Sequence, residues 1–175
     1  MTETRHRTLY IIACASRVAG RLDNLIILAQ RTGWNVCVIA TPKAVNFMNQ
    51  EALEKLTGYP VRSDYKRPEE PDILPPADAL IAFPATFNTI NKWAAGISDT
   101  LALGLLNEYT GRKKPVLAVP VITTDSGLDS HPAFARSMAL LREYGVSVLY
   151  DPKKYPPRNE IPAEIILQAL SELLK

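Results

Sequence analysis

Small hydroxyl and amide side chains recur directly after four apolar, strand-like segments of the chain. The segments that carry them are CASRVAG, ATPKAV, FPATFNT and VITTDSGLDSH, and their polar residues are Ser16, Thr41, Thr86, Asn88, Thr89, Thr123, Thr124, Asp125 and Ser126. Free N–H groups at a helix start, together with the positive end of the helix dipole, bind phosphate. The pattern therefore predicts a site for a phosphorylated ligand, with plain helix capping as the alternative for any one loop.

Strands and helices alternate around these loops. Apolar runs of strand length begin at Thr8 and Trp34, and each is followed by residues at helical spacing that end at Gly33 and Gly58. The later elements are the strands ALIAFP, KPVLAVPVI and VSVLY, one long helix that continues to Leu106, the helix HPAFARSMALLREYG, and an amphipathic helix from Ala163 to Leu174.

The fold class follows from this alternation. Strands that are apolar throughout are typical of a parallel sheet that is covered by helices on both faces. We predict one doubly wound α/β domain, Rossmann-like or flavodoxin-like, over residues 1–175, with five to six strands. Residues 1–7 are expected to be mobile, and residues 151–175 to form a turn-rich segment and a helix.

The proline-rich stretch 59–78 leaves room for one short strand near Val61 within a long loop.

The two edges of the predicted sheet differ in composition. The helix-to-strand turns RTGWN, YTGRKKP and EYGVS each contain a glycine that suits the left-handed conformation at a helix end. The strand-to-helix loops carry the hydroxyl residues instead. Open α/β sheets bind their ligands at this carboxyl edge, and we expect the site there.

Composition excludes several classes of partner. The chain has 175 residues, of which 47% are hydrophobic and 22% are charged, and its formal net charge is +2. These values are ordinary for a globular protein and give no electrostatic reason to expect nucleic acid. No apolar run has the length of a signal-peptide core or of a membrane span, which takes about 18 residues. The sequence predicts a cytoplasmic protein without a membrane partner.

Other common cofactor sites lack their motifs. There is no G-x-G-x-x-G after the first strand and no G-x-x-x-x-G-K-[ST], which argues against a dinucleotide site and excludes a P-loop. The first strand ends without paired acidic residues, so no metal site is predicted there. Cys14 and Cys37 lie within apolar runs and are expected to be buried, reduced thiols.

The segment PATFNT, with ADALIAF before it and INKWAAGISDTL after it, resembles the flavoprotein family of homo-oligomeric, flavin-containing cysteine decarboxylases. The matching positions are Ala77, Asp78, Pro84, Ala85, Thr86, Asn88, Thr89, Lys92, Ala94, Gly96, Asp99 and Leu101. The segments ATPKAVNF and HPAFARSMALLREYGVSVL are also similar to family segments. The resemblance covers roughly residues 8 to 150.

The resemblance implies that FMN binds near a subunit boundary of a homo-oligomer, a trimer or a dodecamer. The FMN contacts that it implies are Ser16, Arg17, Thr41, Ala44, Pro84, Ala85, Thr86, Asn88, Thr89 and Thr123. Small residues let the backbone approach the flavin, while Asn88 and Thr89 are expected to cap the helix. The run AAGIS is expected to pack against another helix, of the same or a neighbouring subunit.

The sequence departs from the family at its reaction groups. The family's catalytic histidine would fall at Glu70, its substrate clamp is replaced by PVITTDSGLDSH, and no cysteine follows Cys37 to serve as a proton donor. Asn88 and Asp125 are the candidate catalytic residues that remain. His131 is a weaker candidate, since a histidine before a proline at a helix start is more often structural.

Four functions stay open at this level. The first is an FMN-dependent decarboxylase or oxidoreductase acting on a small substrate other than phosphopantothenoylcysteine. The second is a catalytically silent FMN-binding regulatory or carrier subunit. The third is a flavin prenyltransferase-like enzyme, and the fourth is a phosphate-binding α/β domain without flavin.

Overall fold

A five-stranded parallel sheet forms the centre of the fold, in the computed structural model that describes residues 6–156 and 161–175. The strands, in the spatial order β2-β1-β3-β4-β5, are β1 (Arg7–Ala13), β2 (Trp34–Ala40), β3 (Ala79–Ala85), β4 (Val116–Pro120) and β5 (Ser147–Val148). The predicted doubly wound α/β fold is confirmed. Of the segment expected to be mobile, residues 1–5 lie outside the described residues, and Arg7 begins β1.

Six helices of the described chain cover the two faces of the sheet. They are α1 (Asp23–Arg31), α2 (Gln50–Thr57), α3 (Phe87–Ala94), α4 (Leu101–Gly111), α5 (Pro132–Glu143) and α6 (Ala163–Glu172). Residues of α3, α4 and α5 share one apolar cluster, while residues of α1, α2 and α6 share the other. Among the described residues, no helix combines the length and the apolar character that crossing a bilayer requires.

Strand β1 shows why its sequence is apolar throughout. Leu9 and Ile11 pack into the cluster with α1 and α6, whereas Tyr10 and Ile12 pack into the cluster with α3 to α5. Successive side chains of a strand point to opposite faces, so a strand that is covered on both sides needs apolar residues at every position.

The prediction of one long helix that continues to Leu106 is wrong, because the chain forms two helices there. Helix α3 ends at Ala94, Gly96 takes a left-handed conformation (φ +72°), and the Thr100 hydroxyl caps α4 by accepting from the Leu103 N–H at 3.2 Å. The last four residues of the AAGIS run are exposed in this turn, and the Asn107 amide of α4 donates to the Ile97 carbonyl and to the Ser98 hydroxyl, both at 3.0 Å.

A second predicted helix, from Pro42 to Gly58, is also divided. A short 3-10 helix (Ala44–Phe47) precedes α2, and Met48 between them is extended. The Asn49 side chain then caps α2 by accepting from the Ala52 N–H at 3.1 Å. A new cap within an apolar pattern starts a new helix, which the spacing of apolar residues does not reveal.

Two smaller expectations need correction. Gly33 and Gly145 are left-handed as predicted (φ +90° and +91°), but Gly111 is the last residue of α4 and Lys113 takes the positive φ of +54° instead. The strand expected near Val61 is reduced to one parallel bridge between Arg62 and Ile39 of β2.

Candidate functional site

A groove of about 950 Å³ opens at the carboxyl ends of β1 to β4. β1 and β3 lie side by side, with β2 beyond β1 and β4 beyond β3. The chain therefore leaves β1 toward β2 and leaves β3 in the opposite direction toward β4, so the loops after β1 and β3 diverge. Such a switch point is where open α/β sheets hold their ligands. The volume suits a small-molecule site, since these typically enclose about 300–1,000 Å³.

The groove brings together most of the residues that the sequence singled out. The predicted cofactor contacts that line it are Ser16, Arg17, Thr41, Thr86, Asn88, Thr89 and Thr123. Ala44, Pro84 and Ala85 are buried and do not line it. For Asp125 the structure describes only the backbone, in the short 3-10 helix Thr124–Ser126, whose neighbours Thr123 and Ser126 line the groove.

Backbone hydrogen bonds beyond the strand ends hold the floor of the groove. The Cys14 N–H donates to the Pro84 carbonyl at 3.0 Å, and the Val121 N–H donates to the Ala85 carbonyl at 2.9 Å. On the other side, the Thr41 N–H donates to the Ala13 carbonyl at 2.9 Å. The loops after four strands therefore start from a rigid base, and Pro84 and Ala85 belong to that base.

The start of α3 is open to an anion. Thr86 precedes the helix but makes no capping bond, and its hydroxyl donates instead to the Thr89 hydroxyl at 3.3 Å. The expectation that Asn88 and Thr89 cap α3 is wrong, because both lie inside the helix. Within the described part of the chain, no side chain accepts from the first-turn N–H groups of α3. These donors and the helix dipole suit a phosphate.

Two cations at the groove are available to a ligand. Arg17 and Lys43 line it, and neither forms an ion pair with a carboxylate of the described residues. Lys92 also lines the groove but pairs with Asp99 across the turn between α3 and α4. Lys43 lies only two residues after Thr41, so its place in the sequence is the signal that indicates that it lines the groove.

Apolar side chains form the remaining walls of the groove. The larger ones are Val18, Phe47, Phe87, Leu103, Val121, Ile122 and Leu128. Phe47 and Leu128 are 44% and 40% exposed, which is high for large apolar residues. Apolar walls with a few convergent polar groups are typical of sites for organic cofactors. Sequence reasoning missed these walls, and it missed Thr100 and Leu103 because it joined α3 and α4 into one helix.

Cys14 lies beneath the groove, fully buried beside Thr86 and Thr89. Burial raises the pKa of its thiol, and hydrogen bonds with Thr89 and Thr86 offset only part of this effect. Cys37, in β2, is also buried and free, and burial raises its pKa to about 12. The predicted buried thiols are confirmed, and both stay protonated at neutral pH.

Histidine takes no part in lining the groove among the described residues. The His131 Nδ1 caps α5 by accepting from the Ala133 N–H at 3.1 Å, and its ring meets the edge of Phe87 at a centroid distance of 5.5 Å. Glu70 lies on the proline-rich loop, where its carboxylate accepts from the Arg67 N–H at 3.0 Å. Neither residue has the position of a base facing the groove.

A family model described as Flavoprotein matches residues 1–168 of the chain. The chain is 30% identical over 121 residues to the "Coenzyme A biosynthesis bifunctional protein CoaBC" of Bacillus subtilis (strain 168), a match that covers 66% of this chain and 29% of the relative. It is 33% identical over 103 residues to a "Cysteine/Cysteine sulfinic acid decarboxylase" of an unknown prokaryotic organism, covering 55% and 27%. The matched regions are less than a third of these relatives' lengths.

Solved structures share the fold over nearly the whole chain. A mutant PPC decarboxylase complexed with pantothenoylaminoethenethiol is similar with a TM-score of 0.77 and 19% identity, covering 97% of this chain and 99% of the other. The FMN-dependent cysteine decarboxylase SpaF gives a TM-score of 0.73 and 23% identity, covering 98% of both. "The FMN binding protein AtHal3" gives 0.74 and 19%, covering 96% of both.

Proposed function

Because the chain belongs to the flavoprotein family, whose model matches residues 1–168, we propose that it binds FMN in the groove at the carboxyl edge of its sheet. One observation carries the proposal: N–H donors without a side-chain cap, two cations with no ion pair to a described carboxylate, and apolar walls meet in a single groove. A flavin mononucleotide has a matching set of parts, namely a phosphate, a hydroxylated chain and a planar apolar ring.

The polar end of the groove would hold the phosphate. The first turn of α3 supplies backbone donors, and Arg17 and Lys43 supply positive charge. The hydroxyls of Ser16, Thr41 and Thr123 would bind the remaining polar groups of the cofactor. Phe47 and Leu128 offer exposed apolar surface to the ring.

The proposed reaction is an FMN-dependent decarboxylation or oxidation of a small thiol-bearing carboxylate. Bound FMN supplies a two-electron acceptor, and the protein binds and orients the substrate. The Asn88 amide lines the groove and would donate to a substrate carboxylate, while Asp125 would act as a base. We propose a substrate other than phosphopantothenoylcysteine, because no cysteine follows Cys37 that could serve as the proton donor in that reaction.

A second candidate is a catalytically silent FMN-binding subunit. The observation that favours it is that neither His6 nor His131 lines the groove. Anaerobic addition of small thiol-bearing carboxylates to the FMN-loaded protein separates the two candidates. Bleaching of the flavin absorbance by a substrate supports the enzyme, and an unchanged spectrum with every compound supports the silent subunit.

We further propose a homo-oligomer, a trimer or dodecamer, with the flavin near a subunit boundary. Phe47 and Leu128 expose apolar surface at the groove of the single chain, and a second copy would cover it. Light scattering coupled to size-exclusion chromatography, with and without FMN, tests this assembly. A monomer under both conditions would contradict it.

The test of FMN binding is a visible absorbance spectrum of the purified protein after incubation with FMN and desalting. We expect flavin bands that survive desalting, and free FMN in the supernatant after heat denaturation. The double variant Arg17→Gln with Lys43→Gln should retain less flavin, because it removes the two unpaired cations. A colourless wild-type protein would overturn the proposal and leave the groove to another phosphorylated ligand.

A further inference from the structure

A second cleft, of about 690 Å³, lies between the proline-rich loop (Tyr65–Pro76) and α4. Its floor is formed by Tyr10 of β1 and Ile39 of β2, and Leu101 and Leu105 of α4 form one wall. None of the described residues that line it also lines the groove at the carboxyl edge. The cleft is therefore a separate cavity on the face of the sheet, and the proposed function makes no use of it.

Three tyrosines hold the proline-rich loop in place as the roof of this cleft. The Tyr10 hydroxyl donates to the Pro75 carbonyl at 2.8 Å, and the Tyr109 hydroxyl donates to the Ala77 carbonyl at 3.1 Å. The Tyr65 hydroxyl donates to the Thr100 carbonyl at 3.2 Å and reaches so close to Gly104 that no Cβ fits there. The cleft is thus a built cavity with ties at both ends of its roof.

The charged residues of the cleft include one cation that forms no ion pair within the described part of the chain. Lys66 pairs with Asp72 at 3.2 Å, and Arg112 pairs with Glu108 at 3.1 Å. The fifth charged residue that lines the cleft is Arg62, which forms no ion pair with any described carboxylate. Among the residues that the structure describes, its guanidinium donates only to the Asp64 carbonyl, at 2.9 Å.

Arg62 is also fixed to the sheet. Its N–H donates to the Val38 carbonyl at 3.2 Å, and its carbonyl accepts from the Ala40 N–H at 2.7 Å, so its backbone continues the sheet beside β2. A guanidinium has five donors in a planar fork that matches the two oxygens of a carboxylate or phosphate. A guanidinium on a partly buried residue of a rigid strand edge, next to an apolar floor, is prearranged for an oxyanion.

We propose that this cleft is a second small-molecule site, which takes a ligand with an apolar body and a terminal oxyanion. The apolar body lies on Ile39, Leu101 and Leu105, and the oxyanion binds Arg62. The volume lies within the range of about 300–1,000 Å³ that small-molecule sites usually have. The site does not depend on flavin, because its residues are separate from the groove.

The test uses naphthoate as the probe and protein with isotope-labelled isoleucine and leucine methyl groups. We expect naphthoate to shift the methyl resonances of Ile39, Leu101 and Leu105, and to leave those of Leu103 and Leu128 in the groove unchanged. Naphthyl phosphate in a parallel titration distinguishes a phosphate from a carboxylate as the preferred oxyanion. Naphthalenemethanol, which has the same body without charge, should bind at least about 10-fold more weakly, since a bond to a charged group contributes about 1.5–3 kcal/mol.

Variants assign the oxyanion contact. Arg62→Gln should weaken naphthoate binding by about 10- to 100-fold. Arg62→Lys keeps the charge but not the planar fork, so its affinity for naphthoate should lie between that of Arg62→Gln and that of the wild type. Arg17→Gln, in the groove, is the matched control and should bind naphthoate as the wild type does. Absence of shifts at the cleft methyls, or equal affinity of the wild type and Arg62→Gln, would overturn the proposal.

Discussion

Two acidic residues of the family-like motif serve structure rather than the groove. The Asp78 carboxylate accepts from the Thr8 N–H at 2.8 Å and so joins the start of β3 to β1. Asp99 pairs with Lys92 and closes the turn between α3 and α4. Their neighbours in the same motif, Thr86 and Asn88, line the groove. One sequence motif therefore combines residues that shape the site with residues that face it.

The buried thiols lead to a prediction of reactivity. Burial raises the pKa of both Cys14 and Cys37, so neither presents a thiolate at neutral pH. A thiol reagent should label no cysteine in the native protein and two cysteines after denaturation, as counted by mass spectrometry. Labelling of Cys14 before unfolding would show that the floor of the groove opens in solution.

Cys37 also predicts how stability depends on pH. Burial raises its pKa from 9.0 to about 12, so above pH 9.0 the unfolded thiol loses a proton that the folded one keeps. Stability is therefore fully present below pH 9.0 and falls as the pH rises toward 12, by at most about 1.4 kcal/mol per pH unit for one group. Urea unfolding at pH 8, 9 and 10 measures this loss.

The control for this prediction is Cys37→Ala, which removes the titrating group. Cys14, Tyr10 and Tyr109 also have raised pKa values, so part of the alkaline loss remains in the variant. Between pH 9 and pH 10 the variant should lose less stability than the wild type does. Equal losses in the two proteins would mean that Cys37 ionises as readily when folded as when unfolded.

At the scale of elements, the break between α3 and α4 shapes the groove. Gly96 reverses the chain, the Asn107 side chain donates to the Ile97 carbonyl at 3.0 Å, and the ion pair between Lys92 and Asp99 spans the turn. Thr100 and Leu103 thereby come to line the groove. A continuous helix would carry these residues away from the carboxyl edge.

Gly96→Ala should destabilise the protein. A left-handed φ of +72° is costly for any residue with a Cβ, by about 1–3 kcal/mol, and the space around Gly96 is open, so no clash adds to this. Gly111→Ala is the matched control, because Gly111 lies in α4 with open space and should gain about 0.4–1 kcal/mol. The midpoints of urea unfolding measure both effects, and a neutral Gly96→Ala would contradict the first.

Gly104→Ala should release the proline-rich loop. The added Cβ would clash with the Tyr65 hydroxyl, the far end of a flexible side chain, so the ring moves away while α4 stays intact. We expect faster proteolytic cleavage within residues 65–76 and unchanged retention of FMN. Gly111→Ala, on the same helix, serves again as the control. Cleavage at the wild-type rate would show that Tyr65 does not hold the loop.

At the scale of the whole molecule, FMN should stabilise the fold. A ligand that binds only the folded state adds about 2.7 kcal/mol at 100 times its dissociation constant. Thermal unfolding with increasing FMN measures this gain. Riboflavin, which lacks the phosphate, should stabilise the protein less, because the first turn of α3 and the two unpaired cations then have no anion to bind. Equal stabilisation by both flavins would argue against a phosphate site at α3.

The sequence by itself determined the sheet and the edge at which the groove lies. Because β1 is buried on both faces, it requires a continuous apolar run, and the turns that follow such runs place Ser16, Thr41, Thr86 and Thr123 at one edge. These features depend on neighbours along the chain, so a local pattern reports them. The division of α3 from α4 was missed because apolar spacing continues through Gly96 and only the backbone conformation there ends the helix.

Only the tertiary structure decided which distant segments meet. Phe47 and Leu128 join the groove from segments that are far apart in sequence, and Arg62 reaches its cleft because its backbone pairs with β2. Tyr65 contacts α4 across 35 residues of chain. Such contacts depend on the order of the strands and on the packing of side chains between elements, and no periodicity within a single segment encodes either of them.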